Sequence, residues 1–153
     1  MVKEKLGFIG LGMMGGPMAS NLVKAGYPII VCDPVDEAAE RLLAIGAERA
    51  ATPKEVAEQV ETVLVSLPTP DVVKTVATGA HGLCEGSKIK RYIDLSTSGA
   101  IIAQEVGAVL GEKGVQCLDC PVSGGERGAS GGTLSLMLSG PEDLYEKVKD
   151  ILA

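Results

Sequence analysis

The chain has 153 residues, with 14 Lys and Arg against 20 Asp and Glu, a formal net charge of -6 and 46% hydrophobic residues. That fits one folded domain and excludes global disorder. An acidic chain with scattered lysines and no basic patch is no nucleic-acid binder, and its apolar runs fall far short of the roughly 18 residues a membrane helix needs.

In chain order, short β-like runs alternate with helix-like stretches. Leu6–Gly10 reads as a strand and Met14–Ala25 as a helix with Met14, Met18 and Leu22 on one face. Ile29–Asp33 is a second strand. Asp36–Ile45 follows as a helix with Ala39, Leu42 and Leu43 inward and Gly46 as its stop. Glu48–Ala50 is a short third strand, and Pro53–Val60 a helix with proline at its start. Val63–Leu67 is a strand ending at Pro68, then come a short helix over Asp71–Ala77 and a loop over Gly79–Ser87. Tyr92–Leu95 is the next strand. Ala100–Lys113 is an amphipathic helix with Ile102, Val106, Val109 and Leu110 on one face. Val115–Val122 reads as a strand, Ser123–Gly132 as a glycine-rich loop, Leu134–Leu138 as a last strand and Pro141–Leu152 as a helix.

This alternation predicts an α/β fold: a doubly wound, mostly parallel sheet with helices on both faces. Ligands of such sheets bind at the carboxyl ends of the strands, where the strand order reverses. The first strand runs into Gly10-Leu11-Gly12-Met13-Met14-Gly15, a G-x-G-x-x-G turn that opens a helix. Gly10 permits the tight turn, Gly12 lets the backbone approach a pyrophosphate, and Gly15 lets helix and strand pack closely. The helix N-terminus offers N–H groups and partial positive charge to phosphates. Asp33 ends the second strand, where a carboxylate can accept both ribose hydroxyls of an adenosine. Its other reading is a cap for the next turn, a frequent role for Asp before Pro. A carboxylate there repels a 2′-phosphate, Pro34 follows directly and Arg41 is the first cation after it, so NAD is favoured over NADP.

Leu67-Pro68 and Asp94-Leu95-Ser96-Thr97 end strands at the same sheet edge and can line the cofactor groove. Ser96 or Thr97 can equally cap the following helix. The second glycine cluster, Pro121 to Thr133, exposes backbone N–H groups and a hydroxyl that suit a small carboxylate; a plain connector is the rival reading. Arg127 within it reads as solvent-facing. Cys117 and Cys120 spell C-x-x-C, but on a strand that spacing puts the thiols on opposite faces, so they read as small apolar fillers and no metal site is expected. Glu4 and the glycines at 7, 10, 12, 15 and 16 break up any secretory h-region, which predicts a cytoplasmic protein.

Together these motifs resemble the β-hydroxyacid dehydrogenase family, which includes 3-hydroxyisobutyrate dehydrogenases and tartronate semialdehyde reductases. The resemblance covers essentially the whole chain. It rests on Gly7 through Gly15 with Pro17-Met18-Ala19 and Asn21-Leu22 close behind, and on Asp119-Cys120-Pro121-Val122-Ser123-Gly124-Gly125 followed by Gly128-Ala129 and Gly132-Thr133-Leu134. It implies hydride exchange between a nicotinamide cofactor and a small 3-hydroxy acid or its aldehyde or keto form. Gly10, Leu11, Gly12, Met13, Met14 and Gly15 match the pyrophosphate loop and Asp33 the position that selects NAD. Leu67, Pro68 and Thr97 match residues near the ribose and nicotinamide, with Val72 a further ribose or adenine contact. Ser123, Gly124 and Gly125 match the loop that binds the substrate carboxylate.

Two departures stand out. The family's D-x-S-T-x-x-P ends here in Ala100. The family's essential lysine lies on a helix beyond the stretch matched here, as does a helical domain that makes the subunit contacts of a homo-oligomer. The expectation is therefore one dinucleotide-binding domain, residues 1–153, that lacks the helical domain and is catalytically incomplete alone. None of the ten lysines falls in an expected active-site loop, and the single histidine, His81, lies in the loop after the fourth helix. Two rivals remain on sequence: a stand-alone dinucleotide-binding sensor or partner module, and a complete enzyme using Arg127 or His81.

Overall fold

A computed structural model describes residues 3–97, 99–123, 125–132 and 135–152. Strands β1 (Leu6–Ile9), β2 (Ile29–Cys32), β3 (Glu48–Arg49), β4 (Thr62–Val65), β5 (Arg91–Asp94) and β6 (Gln116–Asp119) form one sheet in the order β3-β2-β1-β4-β5-β6. Every neighbouring pair is parallel. This is the doubly wound Rossmann arrangement, and its order reverses between β1 and β4. A second sheet pairs β7 (Val122–Ser123) with β8 (Ser135–Leu136) antiparallel.

The central strands β1, β2 and β4 are buried along their whole length because both sides of the sheet are covered there. Phe8, Val31, Leu64, Ile93 and Leu118 face a core closed by α1 (Gly15–Lys24), α2 (Asp36–Leu43) and α7 (Glu142–Leu152). Ile9, Ile30, Val63, Val65 and Tyr92 face a second core closed by α3 (Pro53–Gln59), α4 (Pro70–Thr78) and α5 (Gly99–Glu112). Helix starts follow local chemistry. The Thr52 hydroxyl accepts the Glu55 N–H, while the Glu55 carboxylate accepts the Ala51 N–H, so α3 is capped reciprocally. The Thr69 hydroxyl accepts the Val72 N–H, which starts α4 at Pro70, one residue ahead of the sequence expectation. Each such cap is worth about 1 kcal/mol.

Three expectations are corrected. The run Val115–Val122 is not one strand. It breaks at Cys120-Pro121, because proline has no N–H to continue the ladder, and the chain turns into the second sheet. The last strand is only Ser135–Leu136, with Leu134 outside the described residues. The stretch Ser123–Gly132 is not a loop: Ser123 belongs to β7, and α6 spans Gly125–Gly131. Three glycines disfavour a helix there, but Gly128 and Ala129 are buried and α6 packs on α1, so tertiary contact overrides propensity. Leu43 and Val109, expected inward, are 38% and 37% exposed.

Candidate dinucleotide-binding site

β1 ends at Ile9 and the chain turns at Gly10, whose φ is +95°. A Cβ at Gly10 would stand 2.0 Å from the Ser66 carbonyl oxygen, so glycine alone fits this turn. A Cβ at Gly15 would stand 1.8 Å from the Gly10 carbonyl oxygen, which lets the first turn of α1 sit directly against the end of β1. Around Gly12 the space is open, with nothing within 4 Å of where a side chain would begin. The helix that follows has no side-chain cap at Met14 and no acidic residue in its first turn. In this it differs from α3 and α4. Its N-terminal N–H groups and positive dipole end are left to face an anion in the crevice.

Asp33 stands just past β2. Its Oδ2 accepts the Leu11 N–H at 2.7 Å and its Oδ1 accepts the Val35 N–H at 2.8 Å. The first bond ties the end of β2 to the glycine turn, and the second closes a turn around Pro34. Both sequence readings of Asp33 are thus compatible, because a carboxylate offers about four acceptor positions and two remain. Register pairs Val31 with Arg49, which brings a guanidinium to the same corner. Arg49 donates to the Asp33 carbonyl at 3.1 Å and to Asp36 Oδ1 at 2.8 Å. Sequence spacing had pointed only to Arg41, which lines a neighbouring groove of about 540 Å³ together with Asp33.

Gly10, Gly12, Met13, Met14, Gly15, Asp33, Leu67, Pro68 and Val72 line a single groove of about 720 Å³ across the switch between β1 and β4. Leu11 is not among its walls. Its side chain is buried in the core, it lines the neighbouring groove instead, and its N–H is donated to Asp33. Thr97 is exposed and also lies outside that lining. Ser96 is buried at 4% exposure, and its hydroxyl accepts the Leu67 N–H at 2.8 Å.

The family model for the NAD binding domain of 6-phosphogluconate dehydrogenase matches residues 5–153. The chain belongs to that family of NAD-binding domains. Its relatives include hydroxyacid dehydrogenases and reductases, whose NAD-binding domain it resembles. It is 40% identical over 148 residues to 2-hydroxy-3-oxopropionate reductase of Escherichia coli, covering 96% of this chain and 50% of that protein. The structure of Mycobacterium tuberculosis 3-hydroxyisobutyrate dehydrogenase with L-serine superposes with a TM-score of 0.89 at 34% identity, covering 97% of this chain and 50% of that one. Psf3 in complex with NADP+ and 2-OPP superposes with a TM-score of 0.88 at 28% identity, over 96% of this chain and 52% of that one. The chain spans about half the length of the curated relatives it matches.

In this NAD-binding domain the expected substrate loop is divided. Ser123 is exposed on β7, Gly125 opens α6, and Gly124 lies outside the described residues. α6 is held to the cofactor helix by Asn21, whose amide donates to the Ala129 carbonyl at 2.8 Å and the Ser130 carbonyl at 3.4 Å. Arg127 is exposed. His81 is exposed too, and its N–H is donated to Glu85. Cys117 packs on one core and Cys120 in the other, as the strand spacing predicts. Burial pushes the thiols of Cys32, Cys117 and Cys120 up to about 11, so they stay protonated and unreactive near neutral pH. Among the described residues no helix is long and apolar enough to cross a membrane.

Proposed function

We propose that this domain is the cofactor-binding half of a nicotinamide-dependent dehydrogenase acting on a small hydroxy acid or its aldehyde or keto form. The observation that carries it is the groove at the strand-order switch: an open glycine turn, an uncapped helix N-terminus and a carboxylate at the end of β2 converge there. Gly10, Gly12, Met13, Met14 and Gly15 would hold the pyrophosphate, with Asp33 on the adenosine ribose. Leu67, Pro68 and Val72 would line the remaining dinucleotide, with Thr97 near the nicotinamide end. Ser123, Gly124 and Gly125 would receive the substrate carboxylate. When bound, the cofactor supplies the hydride, and the protein supplies orientation and electrostatics.

Hydride exchange at a hydroxyl carbon needs a proton donor or cation beside the substrate oxygen. We assign that role to no residue of this chain, so turnover would require a group supplied from outside residues 1–153. A cytoplasmic location and a homo-oligomeric parent enzyme belong to the same proposal. The location is supported by four cysteines that are all free in the structure.

The test is a titration of the chain into NADH and, separately, NADPH, followed by nicotinamide fluorescence. No tryptophan interferes. Saturable binding that favours NADH, with no oxidation of hydroxy acids, is expected. Tighter binding of NADPH would overturn the role given to Asp33, and absence of binding to both would overturn the cofactor assignment.

A further inference from the structure

We infer that Ser96 is a positioning residue for the nicotinamide half of the groove, acting through the backbone of Leu67; this rests on the cofactor reading above. The second half of a doubly wound sheet, β4 and its neighbours, holds the second mononucleotide of a dinucleotide. Its wall here is the segment just after β4, where Leu67 and Pro68 line the groove. That segment is past the ladder: Leu95 N–H still reaches the Val65 carbonyl, but among the described residues no strand neighbour receives the Leu67 N–H. The Ser96 hydroxyl takes that place at 2.8 Å.

Ser96 is itself held. Its own N–H is donated to Asp94 Oδ1 at 2.8 Å, and Asp94 and Ser96 are both buried, at 3% and 4% exposure. The series Asp94, Ser96, Leu67 therefore ties the loop after β5 to the loop after β4 through a buried hydrogen bond within the first loop and a part-buried one between the two. Pro68 adds stiffness on the far side, because it fixes φ and restricts Leu67 before it. A part-buried N–H that loses its acceptor must move to water or remain unpaired. Either way the Leu67-Pro68 wall shifts. The adenosine half is built separately, from the glycine turn, Asp33 and Arg49, and shares none of these bonds.

The experiment measures NADH and ADP binding to the wild-type chain and to Ser96→Ala, Ser96→Cys and Ser96→Thr by calorimetry, with nicotinamide emission recorded in parallel. Removing the acceptor in Ser96→Ala should weaken NADH about tenfold, the scale of one hydrogen bond, and shift the emission. ADP, which carries only the adenosine half, should keep its affinity within about twofold. Ser96→Thr retains the hydroxyl and should restore NADH binding. If Ser96→Ala does not fold, Ser96→Cys, with a poor acceptor of similar shape, replaces it in the comparison with Ser96→Thr. In the wild-type chain, hydrogen exchange at the Leu67 amide should be slow; fast exchange overturns the inference without any variant. Unchanged NADH affinity in Ser96→Ala, or equal weakening of NADH and ADP, also overturns it. Failure of the wild-type chain to bind NADH overturns the cofactor reading itself, and this inference with it.

Discussion

At the scale of single residues, the glycine turn is constrained more tightly by contact than by conformation alone. Gly15 is helical, so alanine would normally stabilise it by about 1 kcal/mol on propensity. Here the added Cβ would lie 1.8 Å from the Gly10 carbonyl oxygen, and both partners are backbone. No side chain can rotate away. The strain must be relieved by parting α1 from β1, which loosens the apolar contacts of Ala19 and Leu22 beneath it. Overpacking of this kind costs about 1–3 kcal/mol or more. Gly15→Ala should therefore lower the urea midpoint clearly, where the same change at an open helical site would raise it. Equilibrium unfolding followed by circular dichroism decides between them, and an unchanged or raised midpoint would show that the turn has slack the contacts do not reveal.

Among whole elements, α6 is where local rules and tertiary structure part. The glycine turn, the alternation of strands and helices and the caps were legible because each is a short-range signal: spacing, period or a Thr-Pro start. The end of β6 was misread because an apolar run looks continuous until proline breaks its ladder. α6 was misread because Gly125, Gly128 and Gly131 argue for a loop, and its stabilising partner, Asn21, lies about a hundred residues earlier. Arg49 was hidden for the same reason, since strand register brings it to the site, and Ser96 was legible as a strand-end residue while its bond to Leu67, made by loop docking, was not. The clamp makes a prediction. The last carbonyls of a short helix are orphans that need a donor, and Asn21 supplies it across the helix pair. Asn21→Ala should cost about 1 kcal/mol in global stability. Its larger effect should be local: amide exchange over residues 125–131 should accelerate severalfold while that of β1 and β4 follows only the global change. Equal acceleration in both would mean that α6 opens only with the whole fold.

Over the molecule as a whole, the carboxyl edge of the sheet collects acidic groups from separate strands. Register places Asp94 of β5 beside Asp119 of β6, so parallel pairing sets two carboxyl groups side by side. Burial, and then the Asp94 charge, raise the pKa of Asp119 above the usual carboxylate range. The same burial holds the neighbouring Tyr92 hydroxyl and Cys117 and Cys120 thiols protonated. A carboxyl whose folded pKa exceeds its unfolded value binds its proton more tightly when folded, so its contribution to stability falls as pH rises through that interval. Glu61 and Asp143 behave oppositely. Hydrogen bonds from Lys90 and from Gln116 lower their pKa values, and what they contribute is lost as the solution is acidified. Asp119→Asn isolates the first effect: it keeps the shape and an acceptor oxygen, and removes the charge. The variant should be more stable than wild type near roughly pH 7, and its advantage should shrink as the pH is lowered through the raised pKa of the folded carboxyl towards the ordinary carboxylate value of about 3.9. Urea midpoints of both proteins across that range test this. A wild type that is the more stable near neutrality, or a difference that does not change with pH, would mean that the Asp119 charge is fully compensated in the fold, and that pairing β5 with β6 in this register carries no cost for setting two carboxyl groups side by side.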